Sequence, residues 1–314
     1  MTRPRVLFFG GKGGVGKTTL AGAVAVGLAD RGARTLLVST DPAHSTSDLF
    51  ELPLDDTPRE VLPNLHALEI DPTREADRYI ADVKARLADT VPPRLAGEVE
   101  RQIDIARVTP GAEEAALFDR FARILVTEGT SLDRLVFDTA PLGHTLRLLA
   151  LPEQLDAWTA GLIARREQVH VLGRMWQRVA GTVTAAEAPD PVRDALEARR
   201  VRFATARAIL TDPGRTAFYF VLLPERLPIL ETERAVRALA KYQIPIGGVL
   251  VNRVLPDDAD GEFVARRRAR ERHYLDEIAR RFGDLIRATV PLQAADVSGV
   301  TGLRALRPLL ACDF

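Results

Sequence analysis

The chain has 314 residues, 46% of them hydrophobic and only 6% aromatic, which suits a globular protein built on one sheet-centred core. Lys+Arg and Asp+Glu balance at 43 each, so no global basic field argues for nucleic acid or anionic lipid. A single cysteine, Cys312, rules out a disulfide framework or a four-thiolate zinc site within one chain.

The first residues, "MTRPR", run into a strand with no signal-peptide pattern, and no apolar run nears the ~20 residues needed to span a bilayer. A soluble, cytoplasmic protein is therefore expected. Strands are expected in chain order at "RVLFFG", "RTLLVST", "HALEID", "RLVFDTA", "TAFYFVLL", "GGVLVN" and "RATVP". Most are near-continuous apolar runs, as in strands buried on both faces, and helical stretches alternate with them. That pattern predicts an α/β fold, a mostly parallel central sheet flanked by helices. The connections after Asp71 and after Pro152 are longer than a crossover helix requires and rich in Ala, Arg, Glu and Leu. They predict an inserted helical subdomain from roughly 73–130 and 154–212, within a single domain over 1–314. "TAAEAPDPVRD", Thr184 to Asp194, reads as an exposed helix break.

Between the first strand and the first helix lies "GGKGGVGKTTL". Gly11, Gly16, Lys17 and Thr18 satisfy G-x-x-x-x-G-K-[ST], a phosphate-binding loop in its required strand-to-helix context. Gly11, Gly13, Gly14, Val15 and Gly16, with Lys17, Thr18 and Thr19, are expected to surround the phosphates. Lys17 would reach the β- and γ-phosphates and Thr18 would hold Mg²⁺. Gly11, Gly13 and Gly16 also spell G-x-G-x-x-G, and Asp41 ends the next strand, as in a dinucleotide fold. The Lys17-Thr18 pair has no use there and favours a nucleoside triphosphate. Lys12 is a second lysine in the loop. It cannot easily fold back beside Lys17, and its ammonium is expected to point outward across the mouth of the site.

The pattern K-G-G-x-G-K-T resembles the deviant Walker A loop of the nitrogenase iron protein, MinD and ParA class. That resemblance implies a nucleotide-sandwiched dimer in which Lys12 contacts the partner's phosphates, like an arginine finger. "STDPAHSTSDLF", "LEIDP", "PGAEEAALF", "FDTAPLGHTLRLLALP", "LPILETERAVRAL", "VNRVLP" and "PLQAADVSGVTGL" follow in order. With the loop they resemble the ArsA family, which holds the arsenite-pump ATPase and the eukaryotic ATPase that delivers tail-anchored membrane proteins. The resemblance implies ATP hydrolysis, with Asp41 orienting or deprotonating the attacking water, or else capping the turn that follows. It implies Mg²⁺ contact through water for Asp138, at the end of the strand "LVF". "TAPLGHT", Thr139 to Thr145, resembles switch II, with Leu142 where the family often has threonine, and with His144 read as structural more readily than mechanistic. Asn252 is implied in base recognition, unless it merely starts a turn, and Pro291 in the loop over the base.

What hydrolysis drives is less constrained by the residues. The arsenite branch uses cysteines and the targeting branch a CxxC zinc pair; with Cys312 alone, no zinc is expected and a dimer must form without it. Leu155, Trp158, Leu162, Val169, Leu172 and Trp176 share one helical face, interrupted by Arg165. Exposed, that stripe would bind a hydrophobic protein segment; packed inward, it would be subdomain core. The expected partners are a second copy or a paralogue, and a hydrophobic segment or membrane protein as client. The alternatives are the catalytic subunit of a membrane anion transporter and a MinD/ParA-like regulatory switch. "ARRRARER", Ala265 to Arg272, reads as a solvated helix face, and no nucleic acid is expected.

Overall fold

The computed structural model describes residues 3–41, 45–88, 97, 101, 112–139, 191–310 and 314. β1 (Val6–Gly11) leads through the glycine loop into α1 (Lys17–Asp30), and β2 (Thr35–Ser39) and α2 (Ser45–Phe50) follow. Next come β3 (Arg59–Leu62), β4 (Leu65–Glu69), α3 (Pro72–Ala88), α4 (Ala112–Val126) and β5 (Arg134–Asp138). The described chain continues with α5 (Pro191–Thr211), β6 (Thr216–Leu222), α6 (Arg226–Lys241) and β7 (Ile246–Val254). It closes with α7 (Glu262–Phe282), β8 (Ile286–Pro291) and α8 (Gly299–Leu306).

The strands form one sheet in the order β3-β4-β2-β5-β1-β6-β7-β8. Every neighbouring pair is parallel except β3 with β4. This is the expected α/β architecture with one strand more than the sequence suggests. The missed strand is β3, "REVL", whose residues are exposed or half-buried, so it lacks the apolar run that marks the others. β1, β2 and β6 are buried along their whole length, which is why they read so clearly. On one face Phe8 stacks on Phe137 at 4.9 Å and on Phe218 at 5.9 Å, tying β5, β1 and β6 together. On the other face Phe9 lies 5.6 Å from Tyr219, and Phe314 packs against both. Burying each such ring stabilises the fold by roughly 1.5–3 kcal/mol. α1 is apolar on nearly all sides because it is enclosed by the sheet and α8, and Arg304 of α8 clamps Asp30 at its end with bonds of 2.9 and 2.7 Å. Arg304 holds the Asp30 carboxyl below its ordinary range.

Packing divides the chain into two compact units, residues 1–71, 129–149 and 209–314, and residues 72–128 and 150–208. The first contains the sheet. In the second, Phe118 packs against Phe121 and Phe203, at 5.8 and 5.0 Å. Glu75 is 2% exposed and meets Arg78, Arg120 and Arg123 at 2.7, 3.7 and 3.5 Å. Asp119 joins α4 to α5 through Arg199 and Arg202, at 3.4 and 2.9 Å. Buried acids in this number survive only because each has a cationic partner. The stripe from Leu155 to Trp176 lies outside the described residues, as do Leu142, His144 and Cys312. α5 begins at Pro191, so the helix break expected through Asp194 ends earlier; proline is well suited to a first helical turn.

Candidate active site

Parallel strands bring their carboxyl ends to one edge, and the loops there hold the polar groups. β1 stops at Gly11, where a side chain would sit 2.3 Å from the Val221 carbonyl of β6. Gly16, just before α1, has φ 92° and ψ 29°, a left-handed conformation that an L side chain rarely adopts. A Cβ at Gly16 would also lie 2.4 Å from Asn252 Nδ2. That amide donates to the Val15 carbonyl at 2.8 Å, so the β7 asparagine holds the loop in shape. Asn252 is 6% exposed and sits where the register of β7 with β8 shifts between Val251 and Val254. Irregularities of this kind re-aim a side chain beside a site. Arg253, next in line, has φ 55°.

Lys17, Thr18, Asp41 and Asp138 lie close together. Lys17 is 5% exposed, with its Nζ 3.8 Å from Asp41 Oδ2. Thr18 Oγ1 lies 3.0 Å from Ser45 Oγ. Asp138 is fully buried at the end of β5, and neither carboxylate oxygen has a hydrogen-bond partner of ordinary geometry. Burial pushes its pKa up to about 7; the Thr18 hydroxyl and Lys17 ammonium pull it down, while Asp41 and Glu69 add to the rise. An orphaned buried carboxylate costs several kcal/mol unless something completes it. The position calls for a cationic ligand, and the neighbouring Thr18 hydroxyl supplies a second oxygen, the donor chemistry that Mg²⁺ prefers. No group of three or more His, Cys, Asp or Glu among the described residues is arranged to hold a metal ion by itself. An ion bound chiefly through substrate phosphates needs none.

Lys12 stands apart from this group. Its Nζ is 3.5 Å from Glu231 Oε1 of α6, with both side chains about a third exposed. It lines a cleft of about 660 Å³ with Gly13, Val15, Arg253, Tyr274 and Leu292. Pro291, the last residue of β8, pairs with Val254, and it is Leu292 rather than Pro291 that lines the cleft. The basic cluster on α7 is largely engaged: Arg266 with Glu262, Arg267 with Glu225, and Arg268 with the Pro256 and Ala259 carbonyls. Thr139 donates its hydroxyl to the Phe9 carbonyl at 2.9 Å, while residues 140–145 of the expected switch lie outside the described residues. Gly13 and Gly14, the latter at φ 80°, lie in the loop, and Thr19 follows in the first turn of α1.

Sequence reasoning missed Ser45, Glu69 and Glu231 as site residues. All three fall inside motif blocks, but a motif shows recurrence and not which side chains meet.

A strand, a glycine loop with Lys17 and Thr18, and an acid on the adjacent strand define a P-loop nucleotide hydrolase of the α/β class. The chain belongs to the ArsA ATPase family, whose model, described as an anion-transporting ATPase, matches residues 4–311. It is 35% identical over 306 residues to the "Putative arsenical pump-driving ATPase 2" of Aquifex aeolicus, covering 98% of this chain and 99% of that protein. It is 32% identical to "ATPase ASNA1 homolog 1" of Paramecium tetraurelia, over 97% of this chain and 91% of that one. To "ATPase GET3A" of Arabidopsis thaliana it is 34% identical, over 95% and 81%. The protein is an ATP hydrolase.

Proposed function

We propose that the protein is a Mg²⁺-dependent ATPase that works as a nucleotide-gated dimer and couples hydrolysis to the binding and release of a hydrophobic protein segment. The observation that carries the chemistry is the unpartnered Asp138 carboxylate facing Thr18 and Lys17. Mg²⁺, held by Thr18 and through water by Asp138, would neutralise charge developing on the phosphate oxygens.

This chain's residues do the rest. The backbone of 11–16 and the start of α1 cradle the phosphates. Lys17 leaves Asp41 for the β- and γ-phosphates, and the Asp41 carboxylate turns to water. Asp41 takes a proton from that water as its oxygen bonds to the γ-phosphorus. The bond from the γ-phosphorus to the β–γ bridging oxygen breaks, giving ADP and phosphate. Asn252 keeps the loop closed under the nucleotide, and Leu292, next to Pro291, borders the base. Lys12 acts on the partner's nucleotide: it lies outside the Lys17–Asp41–Asp138 group and must first leave Glu231. Loss of the γ-phosphate then biases the dimer back toward its open state, a two-state change.

The client reading draws on the relatives named ASNA1 and GET3A and on the stripe from Leu155 to Trp176. A second reading, a catalytic subunit driving an anion transporter, draws on the name of the Aquifex relative. No helix among the described residues is long and apolar enough to cross a membrane. Asp41→Asn, expressed in cells to hold the ATP-bound state, with Lys17→Ala as the empty control, separates the readings. Mass spectrometry of co-purifying proteins should show many proteins with a transmembrane helix enriched by Asp41→Asn alone. One integral transporter would support the pump instead, and enrichment of neither class would overturn the client reading.

A further inference from the structure

β4, β2 and β5 are parallel and in register, with Ser39 opposite both Glu69 and Asp138. Glu69 and Asp138 therefore flank Ser39 at the same sheet edge. Both acids are buried, but their surroundings differ. Asp138 has no hydrogen-bond partner of ordinary geometry, only the nearby Thr18 hydroxyl, whereas Glu69, 2% exposed, is heavily used. Its Oε1 accepts the backbone N–H groups of Thr46 and Ser47, at 2.9 and 3.0 Å. Its Oε2 accepts the Ser47 hydroxyl at 2.8 Å, and Ser47 Oγ in turn accepts the Leu54 N–H at 3.0 Å. One carboxylate thus grips the first turn of α2 and, through Ser47, the chain that leaves it.

α2 has six residues, too few to hold a helix by its own hydrogen bonds. Leu49 and Phe50 anchor its far end in the core, and Glu69 fixes its near end. The near end is where function lies. Ser45 opens α2 and puts its hydroxyl 3.0 Å from that of Thr18, and Asp41 stands four residues before it.

We propose that Glu69 is a positioning residue for ATP hydrolysis. It sets α2 so that Ser45 orients the Thr18 hydroxyl at the sheet edge where Asp41 lies. The inference rests on the roles given above to Thr18 and Asp41. Charged acceptors hold N–H donors more firmly than neutral ones, so the carboxylate, and not merely its shape, matters.

The test compares Glu69→Gln, Ser45→Ala and the double variant in the full chain. Glu69→Gln keeps the volume and one acceptor, so it disturbs the fold less than Glu69→Ala would. Turnover is expected to fall about 10–100-fold in each single variant, as for other residues that orient a ligand-bearing group. The dissociation constant for adenylyl imidodiphosphate, measured by calorimetry with magnesium, should stay within about two-fold. The double variant should be no slower than the worse single one, because both act along one path. Independent, multiplying losses, or equal losses of turnover and affinity with a lowered melting point, would make Glu69 a structural residue only. Turnover unchanged in Glu69→Gln would also overturn the proposal. Asp41→Asn and Lys17→Ala run alongside: if they hydrolyse ATP normally, the roles beneath the proposal fail, whatever Glu69 does.

Discussion

Asp138→Asn is expected to make the nucleotide-free protein more stable at pH 8 and to stop it hydrolysing ATP. The carboxyl has an ordinary pKa of 3.8 when the chain unfolds and one of about 7 when buried at the end of β5. Between those values the folded state keeps a proton that the unfolded state releases. Stability is therefore fully present below about pH 4 and is lost as pH rises through 7. A shift of this size corresponds to an upper bound of about 4 kcal/mol above pH 7. Asparagine avoids the ionisation but buries an amide with incomplete partners, at a cost of ~1–3 kcal/mol. The expected net gain at pH 8 is ~1–3 kcal/mol, a few degrees in melting temperature. At pH 5 the gain should vanish or reverse. Calorimetry at the two pH values checks this directly. A variant less stable than the parent at both would mean that Asp138 is already satisfied, and the case for a cation there would fall with it.

Gly16→Ala is expected to abolish ATP binding, and its partner variant explains why. The left-handed backbone at Gly16 costs an alanine ~1–2 kcal/mol. Its methyl would also strike Asn252 Nδ2 at 2.4 Å and dislodge the bond to the Val15 carbonyl. That bond contributes about 1 kcal/mol. Asn252→Ala removes the obstacle as well as the bond. The two substitutions share one contact, so their costs should not add. The double variant should be more stable, by about 1 kcal/mol or more, than the sum of the singles predicts. Urea midpoints for the four proteins measure that difference. Simple additivity would show that Asn252 is not seated against the loop.

Much of this site could be read before any coordinates. The loop from Gly11 to Thr18 is legible because its function depends on residues close in sequence, and Asp138 because it ends an unbroken apolar strand. Fold class was legible for the same reason: strands buried on both faces cannot hide their composition. Strand order was not, because nothing in a crossover records which neighbour a strand will find. β3 escaped because it is a short edge strand with exposed residues. Asn252 had been read toward the nucleotide base, and the structure adds a contact that the residue type alone does not specify, its bond to Val15. Glu69 and Glu231 escaped because each acts on a segment distant in sequence: α2 lies about twenty residues before Glu69, and Lys12 lies over two hundred before Glu231. A buried acid at a strand end, as in "LEIDP", is the signal that a more demanding reading would have taken up.

The claim on which the account turns is that Lys12 works on the partner's nucleotide. In the single chain its ammonium rests against Glu231, not beside Lys17. Lys12→Ala and Asp41→Asn subunits, each inactive alone, would be mixed and the ATPase rate measured, with mixed dimers verified by differential tagging. If Lys12 serves the opposite site, both lesions fall on one site of the mixed dimer and the other is intact, so a substantial fraction of parental activity should return. If Lys12 serves its own site, each site of the mixed dimer carries one lesion, and mixed dimers as inactive as their parents would contradict the account.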